Sequence, residues 1–129
     1  MPSGSGSRGT IVIGTVQGDI HDIGKNIVKV LLENYGYEVL DLGKDVAPEV
    51  IVKTAISEEV KLVGLSALMT TTVKSMEKTI ELLHKEKPDT FVVVGGAVLN
   101  QEYADQIHAD HYAKDAMATV RYAEQILNQ

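Results

Sequence analysis

Short runs of branched apolar residues alternate along this chain with stretches whose apolar positions recur every three or four residues. The runs are Thr10-Ile11-Val12-Ile13-Gly14-Thr15-Val16, Val39-Leu40-Asp41-Leu42-Gly43, Leu62-Val63-Gly64-Leu65 and Phe91-Val92-Val93-Val94, and each has the length and composition of a buried strand. Between the first two, Ile23, Ile27, Leu31 and Tyr35 fall at four-residue intervals and stop at Gly36, which predicts an amphipathic helix closed by glycine. Pro48 suits the first turn of a second helix reaching about Glu59, with Val50, Ile51, Ala55 and Ile56 facing inward. Val73, Met76, Ile80 and Leu83 mark a third helix, and Pro88 lies beyond its end. A short helix over 101–107, a weak fifth strand around Tyr112 and a last helix over 116–127, packed through Met117, Val120 and Ile126, complete the pattern.

Five βα repeats in one short chain predict an α/β fold, a parallel sheet covered on both faces with right-handed crossovers. The expected arrangement is the flavodoxin-like, Rossmann-like doubly wound sheet of five strands in the order 2-1-3-4-5. Its switch point lies between strands one and three, and ligands bind at the carboxyl ends of strands. The loop after strand one, the polar segment 66–72 and Gly95-Gly96 should therefore converge on one crevice.

At 129 residues the chain is one domain's worth. Its opening, Met1-Pro2-Ser3-Gly4-Ser5-Gly6-Ser7, reads as a flexible linker or cloning scar extending to residue 8, which leaves 9–129 as the folded domain. A net charge of −6 argues against nucleic acid as a partner, since a phosphate backbone requires clustered Lys and Arg. Without cysteine there is no disulfide, thiolate metal site or cysteine nucleophile. No long apolar run or signal pattern is present, so no membrane partner is expected and the protein should be soluble and cytoplasmic.

The candidate chemistry sits in Gly18-Asp19-Ile20-His21-Asp22-Ile23-Gly24-Lys25-Asn26, where a histidine lies between two aspartates in a glycine-bounded loop. Imidazole is the commonest protein ligand of transition metals, and a neighbouring carboxylate can hold its second ring nitrogen. The plainer alternative is a helix N-terminus at which Asp19 or Asp22 bonds backbone N–H groups and His21 is merely solvated. A flavin phosphate is disfavoured, because Asp19 and Asp22 would repel it. A phospho-receiver would need an acceptor aspartate where strand three ends in Ser66. One histidine cannot build a closed zinc site, and His84, His108 and His111 are not placed to help. It suffices for a cofactor that brings its own equatorial ligands, as haem and corrinoids do. Gly95-Gly96 fits a narrow channel for a long tail or, equally, a tight turn.

Asp19-Ile20-His21-Asp22-Ile23-Gly24 resembles the Asp-x-His-x-x-Gly signature of cobalamin-binding domains, Ser66-Ala67-Leu68 their Ser-x-Leu element and Gly95-Gly96 their Gly-Gly element. The three occur in order over nearly the whole chain from Thr10. The longer strings at 18–26 and 66–72, with Gly95-Gly96-Ala97, resemble the methyl-transfer branch, methionine synthase and above all the small corrinoid carriers.

The resemblance implies cobalamin (methylcobalamin or another corrinoid) bound with its benzimidazole displaced and His21 as the lower ligand of cobalt. Asp19 would accept a hydrogen bond from the other ring nitrogen, and Thr72 would complete an axial-ligand relay. Gly18, Ile20, Asp22 and Gly24 would be cofactor-binding residues of the same loop. Ser66 and Thr70 would contact the displaced tail, in a channel past Leu68, Gly95, Gly96 and Ala97, with the two glycines placed where a Cβ would strike the tail. The function implied is a methyl-carrier module between methyl-donor and methyl-acceptor methyltransferases, a component of such a system and not an enzyme alone. A cobalamin-binding sensor or stand-alone binding module is the alternative. His108 and His111 stand where carriers commonly have glycine and are read as lying outside the site. Carriers also have a helical cap domain upstream, absent from this sequence, which reads as a cobalamin-binding domain by itself.

Overall fold

The computed structural model describes residues 9–127, and the expected linker over 1–8 lies outside the described residues. The elements alternate as β1 (Thr10–Thr15), α1 (Ile23–Asn34), β2 (Glu38–Asp41), α2 (Pro48–Ser57), β3 (Leu62–Ser66), α3 (Thr70–Glu86), β4 (Phe91–Gly95), α4 (Gln101–Gln106), β5 (His111–Tyr112) and α5 (Ala116–Leu127). All strand pairs are parallel and the order is β2-β1-β3-β4-β5. This is the doubly wound sheet expected from the alternation.

Two apolar layers sandwich the sheet. Val12, Val63, Leu65, Val92 and Val94 meet α2, α3 and α4 on one face, through Ile51, Ala55, Met76, Ile80 and Ala104. On the other face Ile11, Ile13, Leu62 and Val93 meet α1 and α5, through Leu32, Val120 and Ala123. Successive strand side chains point to opposite faces, so a run apolar at every position is what a sheet covered on both sides requires.

The helices depart from the expected pattern in three places. In α1, Ile23 is 76% exposed and Ile27 is exposed too, as is Tyr35 just past the helix end. The inward positions are Lys25 and Leu32, with Val28 and Leu31 partly buried. A strict four-residue repeat advances about 40° per step on a helix of 3.6 residues per turn, so it cannot keep to one face. In α2 the inward side carries Pro48, Ile51, Val52 and Ala55, and Val50 and Ile56 face out. Helix α3 starts at Thr70, inside the segment expected to be loop, while Val73, Met76, Ile80 and Leu83 are buried as expected.

Candidate functional site

Strand β1 delivers the chain to the switch point. Val16 N–H donates to Ser66 O at 3.0 Å, and Asp19 N–H turns back to Val16 O at 3.0 Å. This turn drives the Asp19 side chain inward, where it is fully buried. Its Oδ1 lies 2.7 Å from Nδ1 of His21 and accepts the His21 backbone N–H at 3.0 Å. Its Oδ2 accepts from Leu68 N–H at 2.7 Å, Met69 N–H at 3.3 Å and the Thr72 hydroxyl at 2.7 Å. The Thr72 oxygen is also 2.9 Å from Met69 O, so its single proton is shared between the two acceptors.

Burial works to raise the Asp19 pKa. The N–H groups of Leu68 and His21, the Thr72 hydroxyl and the His21 ring outweigh it and hold the carboxyl far below the ordinary range. Asp19 is thus an ionised acceptor, and an acceptor at that distance requires the proton of the neutral His21 ring on Nδ1. Nε2 is then left with its lone pair. The His21 side chain is 46% exposed. Ile20, Ile23, Ile27 and Leu68 are exposed apolar side chains of the same loops and of the start of α1. A cleft of about 420 Å³ runs between α1 and the start of α5, over Ile13, Gly64, Ser66, Val93 and Gly95.

A directed nitrogen lone pair beside an apolar rim and a deep cleft suits a large metal-bearing cofactor. Residues 9–121 match the B12 binding domain. The chain belongs to the B12 binding domain family. It is 46% identical to dimethylamine corrinoid protein 1 of Methanosarcina acetivorans over 131 aligned positions, covering 98% of this chain and 62% of that protein. The domain thus spans about three fifths of that relative's length. A cobalamin-binding protein from Desulfitobacterium hafniense superposes with a TM-score of 0.88 at 37% identity, over 92% of this chain and 58% of its own. The methanol:cobalamin methyltransferase complex from Methanosarcina barkeri gives a TM-score of 0.91 at 34% identity, over 95% of this chain and 47% of the matched one.

The B12 binding domain has a corrinoid as its cofactor, and the residues of this chain fit one. His21 offers one outward nitrogen, as a cofactor with its own equatorial ligands demands. Gly24 and Gly95 line the cleft. A Cβ on Gly24 would meet nothing within 4 Å, and one on Gly95 only Ala113 O at 3.5 Å, so these glycines leave open space there.

The fold brings most of the expected residues together in two groups. Asp19, His21, Leu68 and Thr72 form the hydrogen-bonded cluster, and Ser66, Gly95, Gly96, Ala97 and Gly24 line the cleft. Leu68 and Thr70 are not among the cleft residues, and Thr70 is exposed at the start of α3. Asp22 precedes α1 without a side-chain capping bond, so the plain N-cap role is not its own. His108 is exposed, and His111 stacks on Tyr122 with ring centroids 4.2 Å apart; neither lines the cleft.

Gly96 corrects the expectation attached to it. A Cβ there would lie 1.8 Å from Ala67 O, and φ is +138°. The residue is glycine because the β3–α3 backbone passes against it, whatever occupies the cleft.

Three residues around the site were not singled out from the sequence. Lys25, one turn after His21, is buried with its Nζ on Asp41 Oδ1 at 2.5 Å, and that oxygen also accepts Gly43 N–H at 2.8 Å. Asp45 accepts Gly18 N–H at 2.8 Å. The one available signal was the 2-1-3-4-5 order, which puts the loop after β2 beside the loop after β1.

Proposed function

We propose that this domain holds a corrinoid with its benzimidazole displaced and His21 Nε2 on cobalt, and that it serves as the methyl-carrier module of a corrinoid-dependent methyltransferase system. The carrying observation is the Asp19–His21 pair at 2.7 Å, which fixes the proton on Nδ1 and leaves Nε2 free at an exposed position. The kinship with dimethylamine and other corrinoid proteins supports the carrier role.

When bound, the corrinoid supplies a cobalt centre that accepts and returns a methyl group. Everything else falls to the chain. Asp19 strengthens the imidazole as a donor through Oδ1, and its Oδ2 is held by Leu68 N–H and the Thr72 hydroxyl, so the ring is held in one orientation. A proton at Nδ1 has Asp19 as its acceptor, and Thr72 shares that carboxylate, so the three groups respond together to demand at Nε2. Ser66, Gly95, Gly96 and Ala97 would hold the displaced tail along the cleft. Ile20 and Leu68 provide apolar surface for the ring system. Methyl-donor and methyl-acceptor methyltransferases are the partners in this reading.

Adding cobalamin to the wild-type chain should give the absorption spectrum of histidine-ligated, benzimidazole-off cobalt. His21→Ala should lose that spectrum and retain binding through the cleft. Unchanged coordination in the variant would sink the ligand assignment. Methyl carriage is checked by mixing the reduced, loaded domain with a dimethylamine methyltransferase and its substrate. Methylated cobalt should accumulate, and its absence would defeat the carrier role.

A further inference from the structure

We propose that Asp45, in the loop between β2 and α2, is a positioning residue that clamps the Gly18–Asp19 peptide and thereby aims the His21 ring. The inference rests on the reading of His21 as the cobalt ligand for its meaning, and on the loop geometry for its substance.

Asp45 grips that peptide pair from both sides. Its Oδ1 accepts Gly18 N–H at 2.8 Å, and its own N–H donates to Asp19 O at 2.9 Å. Gly18 and Asp45 are 27 residues apart, so the clamp is a tertiary contact. With its backbone held, Asp19 can present Oδ1 to His21 and Oδ2 to Leu68 and Thr72. Asp45 bonds to Gly18 and Asp19 and is not among the cleft residues, so it acts through Asp19.

The clamp has a rigid base. Thr15 N–H donates to Gly43 O at 2.9 Å and Val46 N–H to Thr15 O at 3.0 Å, stapling the loop to the end of β1. Gly43 is tied through Asp41 to Lys25 in the first turn of α1. The loop is therefore fixed to both elements that flank His21.

The backbone of Asp45 distinguishes a clamp from a plain turn. Its φ is +53°, the left-handed region that disfavours side chains and that Asp tolerates better than most. Were the conformation all that mattered, glycine would serve best, as it does two residues earlier at Gly43, with φ +95°. An exposed aspartate kept there is explained by what its carboxylate bonds.

Three variants separate the alternatives: Asp45→Gly keeps the backbone freedom and deletes the acceptor, Asp45→Asn keeps a neutral acceptor, and Asp45→Ala loses both. In the cofactor-free protein, nitrogen NMR reads the His21 tautomer. In the protein loaded with cobalamin and reduced to cobalt(II), electron paramagnetic resonance reads the histidine nitrogen on cobalt. Asp45→Gly and Asp45→Ala should shift His21 from the Nδ1–H tautomer towards a mixture. Both should also lower the ratio of histidine-ligated to histidine-free cobalt by about fivefold, the effect of losing one ordinary hydrogen bond. Asp45→Asn should stay close to wild type in both. Wild-type tautomer and ligation in Asp45→Gly would overturn the proposal and leave a simple turn residue. Asp45→Asn falling as far as Asp45→Ala would overturn it too, by assigning the effect to charge. A wild-type chain without histidine on cobalt would refute the ligand reading, while the tautomer shifts in the cofactor-free variants would still decide the clamp.

Discussion

Replacing Gly96 with alanine should destabilise the protein with no cofactor present, because the obstacle is the chain's own backbone. The added Cβ would fall 1.8 Å from Ala67 O and 2.9 Å from Ala67 C. To reach a tolerable 3.0 Å the carbonyl must retreat by about 1.2 Å. Ala67 N–H donates to Gly95 O at 3.2 Å, and the next amide, Leu68 N–H, donates to Asp19, so the displacement strains both bonds. Two weakened bonds are worth about 1–3 kcal/mol together. A φ of +138° imposes roughly 1–3 kcal/mol more on a residue with a side chain. The expected loss is about 2–6 kcal/mol, a large part of the roughly 5–15 kcal/mol that holds a domain folded. Urea unfolding of the cofactor-free protein measures it directly, with Gly95→Ala as the control. A Cβ on Gly95 meets only Ala113 O at 3.5 Å and should cost about 1 kcal/mol or less. Equal unfolding free energies for wild type and Gly96→Ala, or equal losses for the two variants, would refute the reasoning.

Asp41→Ala should cost about 3 kcal/mol in the same assay, because it leaves the Lys25 ammonium, whose side chain is only 3% exposed, without its counter-charge; Lys25→Met in that background should recover much of the loss, and no recovery would contradict an unpaired-charge origin. Burial raises the Asp41 pKa, but the Lys25 ammonium and the Gly43 N–H pull it below 3.8, so in acid the unfolded chain takes up the proton first. This stabilisation is complete above about pH 4–5 and is lost as pH falls through the lower folded value, so wild-type thermal midpoints should drop more steeply below pH 4 than those of Asp41→Asn. Thr72→Val removes a donor to the buried Asp19 carboxylate and should cost about 1–2 kcal/mol, while Thr72→Ser should stay within about 1 kcal/mol in urea unfolding.

The five-stranded order was legible because each strand announces itself locally. A run apolar at every position demands cover on both faces, and helices between parallel strands leave few permitted connections. From that order alone the loops at 18–26, 66–72 and Gly95-Gly96 had to meet, and they do, although the members of the Asp19–Thr72 bond lie 53 residues apart. The Asp19–His21 pair was visible for a simpler reason: its members are two positions apart, so local spacing carries the contact.

Rotation of α1 about its axis was not legible, since apolar residues at 23, 27 and 30 meet solvent while Lys25 goes inward. A lysine in a first turn reads as solvated until the fold sets Asp41 of the neighbouring strand against it. Asp45 and Gly96 share that character. Nothing near Asp45 in sequence marks it as the acceptor for Gly18, and nothing near Gly96 shows that the Ala67 carbonyl passes where a Cβ would stand. Sequence by itself determined the alternation of elements, the sheet order and the pairing of Asp19 with His21, because those depend on periodicity and short spacing. Tertiary structure decided which side chains hold that loop and which glycine is obligatory, because these depend on close approach between segments far apart in the chain.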